Sequence, residues 1–215
     1  ALGDVTGGCL ADSPSGAAPR YDLTADQRAS LRAAVAAIGE VHAPVDLLAG
    51  SMAAFRCTAC HERSGSGGVS ASFSPYLTTD EPDLGDYASR PPSLTGVGGK
   101  LRLTWLERVL YDGASVRPYM RTRMPVFGEK NVAHLPALFE TLDGAEPLTF
   151  PKEEGEAGKE ARDAAQRLLG VTGLGCVSCH VFNAKEAPSF QGLDLITSPE
   201  RLRERWFRDF LVAPQ

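Results

Sequence analysis

Aromatic residues are scarce in this chain, at 7% of 215 positions, and no apolar run reaches the roughly 18–20 residues that a membrane-crossing helix requires. Charge of one sign is missing too. The net charge of −5 is spread thinly, −2 over residues 1–45, −2 over 46–150 and −1 over 151–215. No segment therefore carries the strong positive field that nucleic-acid binding needs. No stretch alternates apolar and polar residues with the period of a strand, which leaves helices and loops. The N-terminus shows neither the charged lead nor the apolar centre of an export signal. Methionine occurs three times, as Met52, Met120 and Met124, and not at all beyond.

What is present organises into helices. Residues 1–20 are rich in Gly, Ala, Ser and Pro and read as loop. Thr24-Ala25-Asp26-Gln27 matches a capping box and opens a helix to about Ile38, with Leu31, Val35 and Ile38 as its apolar stripe. A second helix is expected from about Asp46, carrying Met52 and Phe55. Ser64 to Ser74 reads as a flexible stretch, followed by an acidic loop from Asp80 to Asp86. Further helices are expected over about 104–112, 136–143 and 156–169, the last stopped by Gly170. The fold class is all-α, with an N-terminal extension over 1–45 and two modules over 46–150 and 151–215, the second incomplete at its C-terminal end.

Chemistry concentrates in two five-residue strings. Cys57-Thr58-Ala59-Cys60-His61 and Cys176-Val177-Ser178-Cys179-His180 share the pattern Cys-x-x-Cys-His. One turn of chain sets two thiols on one edge of a porphyrin, for bonding to its vinyl groups, and delivers an imidazole to the iron. This is the attachment signature of c-type haem. With five Cys and four His in the chain, a single chance match is expected about 0.002 times if positions are independent. A zinc ribbon also uses paired Cys-x-x-Cys but needs no His after each pair. No β-α-β pattern surrounds either string, as a dithiol redox motif would require. The reading is two covalently attached haem c groups, with His61 and His180 as iron ligands.

An internal repeat supports a tandem. Pro92-Ser93-Leu94-Thr95-Gly96 and the Trp105-Leu106 helix follow the first string; Pro188-Ser189-Phe190-Gln191-Gly192 and Trp206-Phe207 follow the second in the same order. From about residue 46 onward the chain resembles class I cytochrome c modules. These look like Cys-x-x-Cys-His, then Pro-x-Leu-x-Gly, a Trp-Leu helix, an Arg-Met-Pro-x-Phe loop and a closing helix. Arg123-Met124-Pro125-Val126-Phe127 completes that pattern for the first module. The resemblance implies Met124 as distal ligand opposite His61, with Met120 as the other candidate. It implies that the carbonyls of Pro92 and Pro188 accept the N–H of the proximal histidines, and that Trp105 and Trp206 reach haem propionates or simply pack. Thioether opposite imidazole raises the haem potential, which suits electron transfer.

The second module has no matching methionine, and the spacing from Trp105 to Met124, applied to Trp206, points past the last residue. A portion of a longer multi-haem protein is the expectation. His42 and His134 are the histidines outside the motifs, each read as a surface or cap residue, with a second imidazole ligand as the alternative. Arg117, Arg121, Arg123 and Lys130 bracket the methionine loop, as a docking patch or as a solvated face. Cys9 stays open between an upstream role, a partner cysteine and lipidation. The functional expectation is an electron carrier, not an enzyme, acting between redox partner proteins or with other subunits of a multi-haem complex. A dihaem peroxidase with one open haem and a structural cytochrome subunit are the alternatives. Since haem is attached covalently outside the bacterial cytoplasm, the location implied is periplasmic or extracellular.

Overall fold

In the computed structural model, which describes residues 7–14, 16–38 and 42–214, the Thr24 capping box is formed. The Thr24 hydroxyl accepts the Gln27 N–H at 3.2 Å and the Gln27 side chain accepts the Thr24 N–H at 2.9 Å. They open helix α1, Ala25–Ala36. Its expected apolar stripe is not a buried face: Leu31 and Ile38 remain 42% and 64% exposed. Arg28 and Arg32 instead reach the 3-10 turn Gly8–Leu10 and the residue after it, donating to Ala11 O at 2.9 Å and Leu10 O at 2.8 Å. Cys9 sits half-buried in that turn with a free thiol. These residues belong to a first unit, Ala1–Ala43; the second is Pro44–Gln215, and 46–150 and 151–215 both lie in it.

The second unit is helical. Helix accounts for 49% of the structure and strand for 6%. Proline at the first turn starts α2, Pro44–Ala54, which buries Leu48 and Met52, one helical turn apart. Short helices α3, Asp86–Ser89, and α4, Val97–Lys100, precede α5, Leu103–Asp112, stopped by Gly113 in the left-handed region. Then come α6, Glu129–Val132, and α7, Leu135–Asp143. Leu48, Met52, Val97, Leu106, Leu110, Val132, Leu135 and Phe139 form one buried cluster, each large side chain contributing about 1.5–3 kcal/mol through removal from water. Gly98 lets α4 lie directly on α7, since a Cβ there would fall 2.0 Å from the Phe139 carbonyl oxygen.

The later part continues with α8, Gly155–Leu169, α9, Ser198–Arg201, and α10, Glu204–Val212. Ser64 to Ser74 is not uniformly loose. Glu62–Arg63 (β1) pairs antiparallel with Ser66–Gly67 (β2) around Ser64 and Gly65, both at positive φ, as a tight hairpin turn demands. Strands of two residues are too short to show alternation in a sequence. No described helix is long and apolar enough to cross a membrane.

Candidate functional site: two Cys-x-x-Cys-His turns

Each Cys-x-x-Cys-His string folds into the same local structure. The chain enters through a left-handed residue, Arg56 at φ 54° and Gly175 at φ 70°. The string then winds as a 3-10 turn, Cys57–Ala59 or Cys176–Ser178. The histidine N–H closes the turn on the first cysteine's carbonyl, His61 to Cys57 at 2.8 Å and His180 to Cys176 at 3.0 Å. Both thiol pairs are free of disulfides. A two-residue turn follows each histidine: Ser64-Gly65 in the first, and Asn183-Ala184 in the second, with Phe182 bridged to Lys185 and both central residues again at positive φ.

The imidazoles are oriented by backbone carbonyls. His61 is buried, and its Nδ1–H donates to Pro92 O at 2.7 Å, as expected. Burial pushes its pKa down, Pro92 opposes this, and nearby Arg117 lowers it further. The ring is thus neutral at neutral pH with Nε2 left as a basic nitrogen. Cys57 packs against the apolar cluster, and burial raises its thiol pKa, while Cys60 is exposed.

The second site corrects one expectation. Nδ1 of His180 meets Leu193 O at 3.1 Å, not Pro188 O. Thirty-one residues separate His61 from its acceptor but only thirteen separate His180 from its own. In the shorter loop Ser189 is held back on Ser178 O at 2.6 Å, and Pro188 is left exposed. Gly192 then runs alongside His180, where a Cβ would fall 2.5 Å from Cys179 O, and so brings Leu193 to the ring.

Two acidic residues hold these loops, and neither stood out in the sequence. Glu62 accepts from Gly65 N–H at 2.5 Å and from the Ser93 hydroxyl at 2.5 Å, and its carbonyl takes the Leu94 N–H at 2.8 Å, fixing the segment that carries Pro92. Asp194 accepts from Asn183, Ala184 and Ile196 N–H at 2.9–3.1 Å, closing the second turn. An acid directly after Cys-x-x-Cys-His with Ser and Thr thirty residues on was the available signal for Glu62.

The methionines separate cleanly. Met124 and Phe127 pack on the same cluster as Cys57, and Phe127 meets Phe55 edge-on at 5.4 Å, tying the Met124 loop to the helix that enters the first turn. Met120 belongs to another cluster, with Ala88 and Tyr119, against which Leu193 packs. Met52 is core. Trp105 is buried, with the Arg108 and Arg201 guanidinium groups 4.9 and 6.0 Å from its ring centre. Trp206 stacks on Phe210 at 5.0 Å and carries the Lys100 ammonium 4.4 Å above its ring.

His134 is bonded to Ser51 through Nε2 at 2.7 Å, and His42 is exposed. Arg121 pairs with Asp80 at 2.6 Å, and Arg123 donates to Arg117 O and Pro118 O. These arginines brace their own loop. Among the described residues no three of His, Cys, Asp and Glu converge as a bare metal ion would need, so the two thiol pairs do not meet in one four-ligand cluster of the zinc-ribbon kind. Compared with known protein families, curated proteins and solved structures, the chain matches none.

Proposed function

We propose that this chain is a dihaem c-type electron carrier, exported from the cell, that passes electrons between redox partner proteins. The observation that carries this reading is the duplication of one local geometry. In each half, two free thiols sit one turn apart and are followed by an imidazole whose Nδ1 is engaged by a backbone carbonyl, leaving Nε2 for a metal. The donor set fits a porphyrin bonded through two thioethers and ligated by histidine. Cys57, Cys60 and His61 would hold one haem; Cys176, Cys179 and His180 would hold the other.

A haem, when bound, supplies reversible one-electron exchange at iron. The chain's own residues do the rest. Pro92 and Leu193 fix each ring's tautomer and orientation, Glu62 and Asp194 hold the loops that carry those carbonyls, and the apolar cluster beneath Cys57 keeps water away. Met124, placed against the same cluster as Cys57, is the thioether candidate for the first iron.

The test is a reductive titration of the purified haem-loaded protein under carbon monoxide. The carrier reading expects reversible one-electron steps and a first haem that leaves carbon monoxide unbound. Carbon monoxide binding at both haems, with turnover of peroxide, would replace it with the peroxidase reading.

A further inference from the structure

Beyond residue 150 the second unit has little apolar material of its own with which to hold a site. Among the described residues there, Ala187 is the one buried hydrophobic side chain, and α10 buries none. The first half has eight apolar side chains in its main cluster. A loop that orients an imidazole must itself be held in place. For the second site that support comes from the other half.

The halves meet where Lys100-Leu101-Arg102 runs beside Arg201-Leu202-Arg203, with Leu101 and Leu202 bridged antiparallel. They meet again at Leu193. Its side chain packs against a cluster of Ala88, Tyr119 and Met120, all of them from the first half. One cavity of about 400 Å³ is lined in part by Val116, Pro118 and Tyr119 from the first half and by Val181, Gly192 and Leu193 from the second.

Tyr119 and Met120 are fixed within the first half. Met120 bridges antiparallel to Thr79. Asp80 N–H donates to Tyr119 O at 2.9 Å and Arg121 N–H to Thr78 O at 3.1 Å. The ion pair of Arg121 with Asp80 ties the same two segments together. Thr78, Thr79, Asp80 and Ala88 lie between His61 and Pro92, where the first half is the longer: thirty-five residues separate Cys57 from Pro92, and twelve separate Cys176 from Pro188. The added length therefore supports a contact outside its own site.

Leu193 is where that contact reaches the chemistry. Its carbonyl meets Nδ1 of His180 at 3.1 Å. The chain is pinned on either side, Gly192 N–H donating to Cys179 O at 2.8 Å and Leu195 N–H to Val181 O at 3.0 Å. The side chain held by the cluster and the carbonyl that meets the ring belong to one residue, so a shift in one is felt by the other.

We propose that Tyr119 and Met120 of the first half are positioning residues for His180, acting through Leu193. This rests on the dihaem reading, in which iron takes Nε2 and leaves Nδ1 to the carbonyl. A firm Nδ1 contact raises the basicity of the ring as a ligand and favours ferric iron. The first half thereby holds down the potential of the haem carried by the second.

The experiment uses the full haem-loaded chain with Tyr119→Ala, Met120→Ala and Leu193→Ala, and with Tyr119→Phe and Met120→Leu as conservative variants. Val132→Ala, which removes volume from the other cluster, controls for general loss of stability. Haem number is read from intact mass, each potential from spectroelectrochemical titration, and local opening from amide exchange at Gly192 and Leu195. The Cys57→Ala/Cys60→Ala chain identifies which potential belongs to the second haem. That potential is expected to rise in the three Ala variants by about threefold to tenfold in the redox equilibrium, tenfold being 59 mV for one electron. Exchange at Gly192 and Leu195 should quicken by about tenfold. Tyr119→Ala combined with Leu193→Ala should shift the potential by less than the two single shifts added, because both remove one contact. Tyr119→Phe, Met120→Leu and Val132→Ala should keep the native value.

Two haems with the second potential and the local exchange unchanged in Tyr119→Ala and Met120→Ala would overturn the proposal and leave the dihaem reading standing. So would single shifts that add in full, or an equal shift in Val132→Ala, either of which reduces Tyr119 and Met120 to general packing. A native chain without haem would overturn the dihaem reading itself. Should Tyr119→Ala fail to fold, Met120→Ala, read beside Met120→Leu, decides alone.

Discussion

Asp194 shows how much of each site depends on one side chain. Burial works to raise its pKa, but three backbone N–H groups outweigh that and hold the carboxyl below its ordinary 3.8. A carboxylate depressed by folding contributes stability that is present above pH 3.8 and lost as pH falls through the folded value. Below that pH the second turn is expected to loosen, with faster amide exchange at Asn183, Ala184 and Ile196. Asp194→Asn should show the faster exchange at neutral pH and little further change on acidification. Equal exchange in the two proteins across the range would contradict this role. The methionines give a second residue-scale prediction. Met124→Ala should open the first reduced haem to carbon monoxide, and Met120→Ala should not, because only Met124 shares the cluster under Cys57. The reverse result would move the ligand to Met120.

Among the elements, the contact of α4 with α7 bears most on the first site, because it carries the loop beginning at Pro92. Gly98→Ala places a methyl 2.0 Å from the Phe139 carbonyl oxygen, where only backbone movement gives relief. A cost of about 1–3 kcal/mol is expected, measured by urea unfolding. The same contact is locked by Arg63 and Asp143. Their bidentate pair at 2.7 and 2.9 Å is joined by the Gly98 N–H to Asp143 and by Arg63 to Leu94 O. With side chains 17% and 8% exposed, Asp143→Ala leaves a guanidinium nearly out of water without its partner, at about 3–5 kcal/mol. A loss below about 1 kcal/mol, the ordinary worth of an exposed pair, would show that water reaches the site.

Helices were legible in the sequence where one local rule decides. The Thr24 capping box and the Trp105 helix stand within a few residues of where composition placed them. The hairpins after each histidine were not legible, since strands of two residues leave no alternation to read. Nor was Leu193 in place of Pro188, because loop length, and not the Pro-Ser-x-x-Gly match, decides which carbonyl reaches the ring.

At the scale of the molecule, the tandem repeat was plain in the sequence but its joining was not. Lys-Leu-Arg and Arg-Leu-Arg look like two solvated segments until Leu101 and Leu202 pair. Arg102 then meets Glu204 at 2.6 Å, and Arg203 meets Glu140. Pairing across about a hundred residues leaves no local pattern, and charged residues otherwise default to the surface. The cavity lined by Pro92 and Lys100 from one side and Trp206 and Phe210 from the other lies at that junction.

The central claim is that both Cys-x-x-Cys-His turns bind haem covalently, and intact mass tests it most directly. The chain is expressed with haem-attachment machinery, denatured, extracted with acid solvent and weighed beside Cys57→Ala/Cys60→Ala and Cys176→Ala/Cys179→Ala variants. The account predicts two haem increments on the parent chain and one on each variant. The bare polypeptide mass, or two increments surviving in either variant, would contradict it.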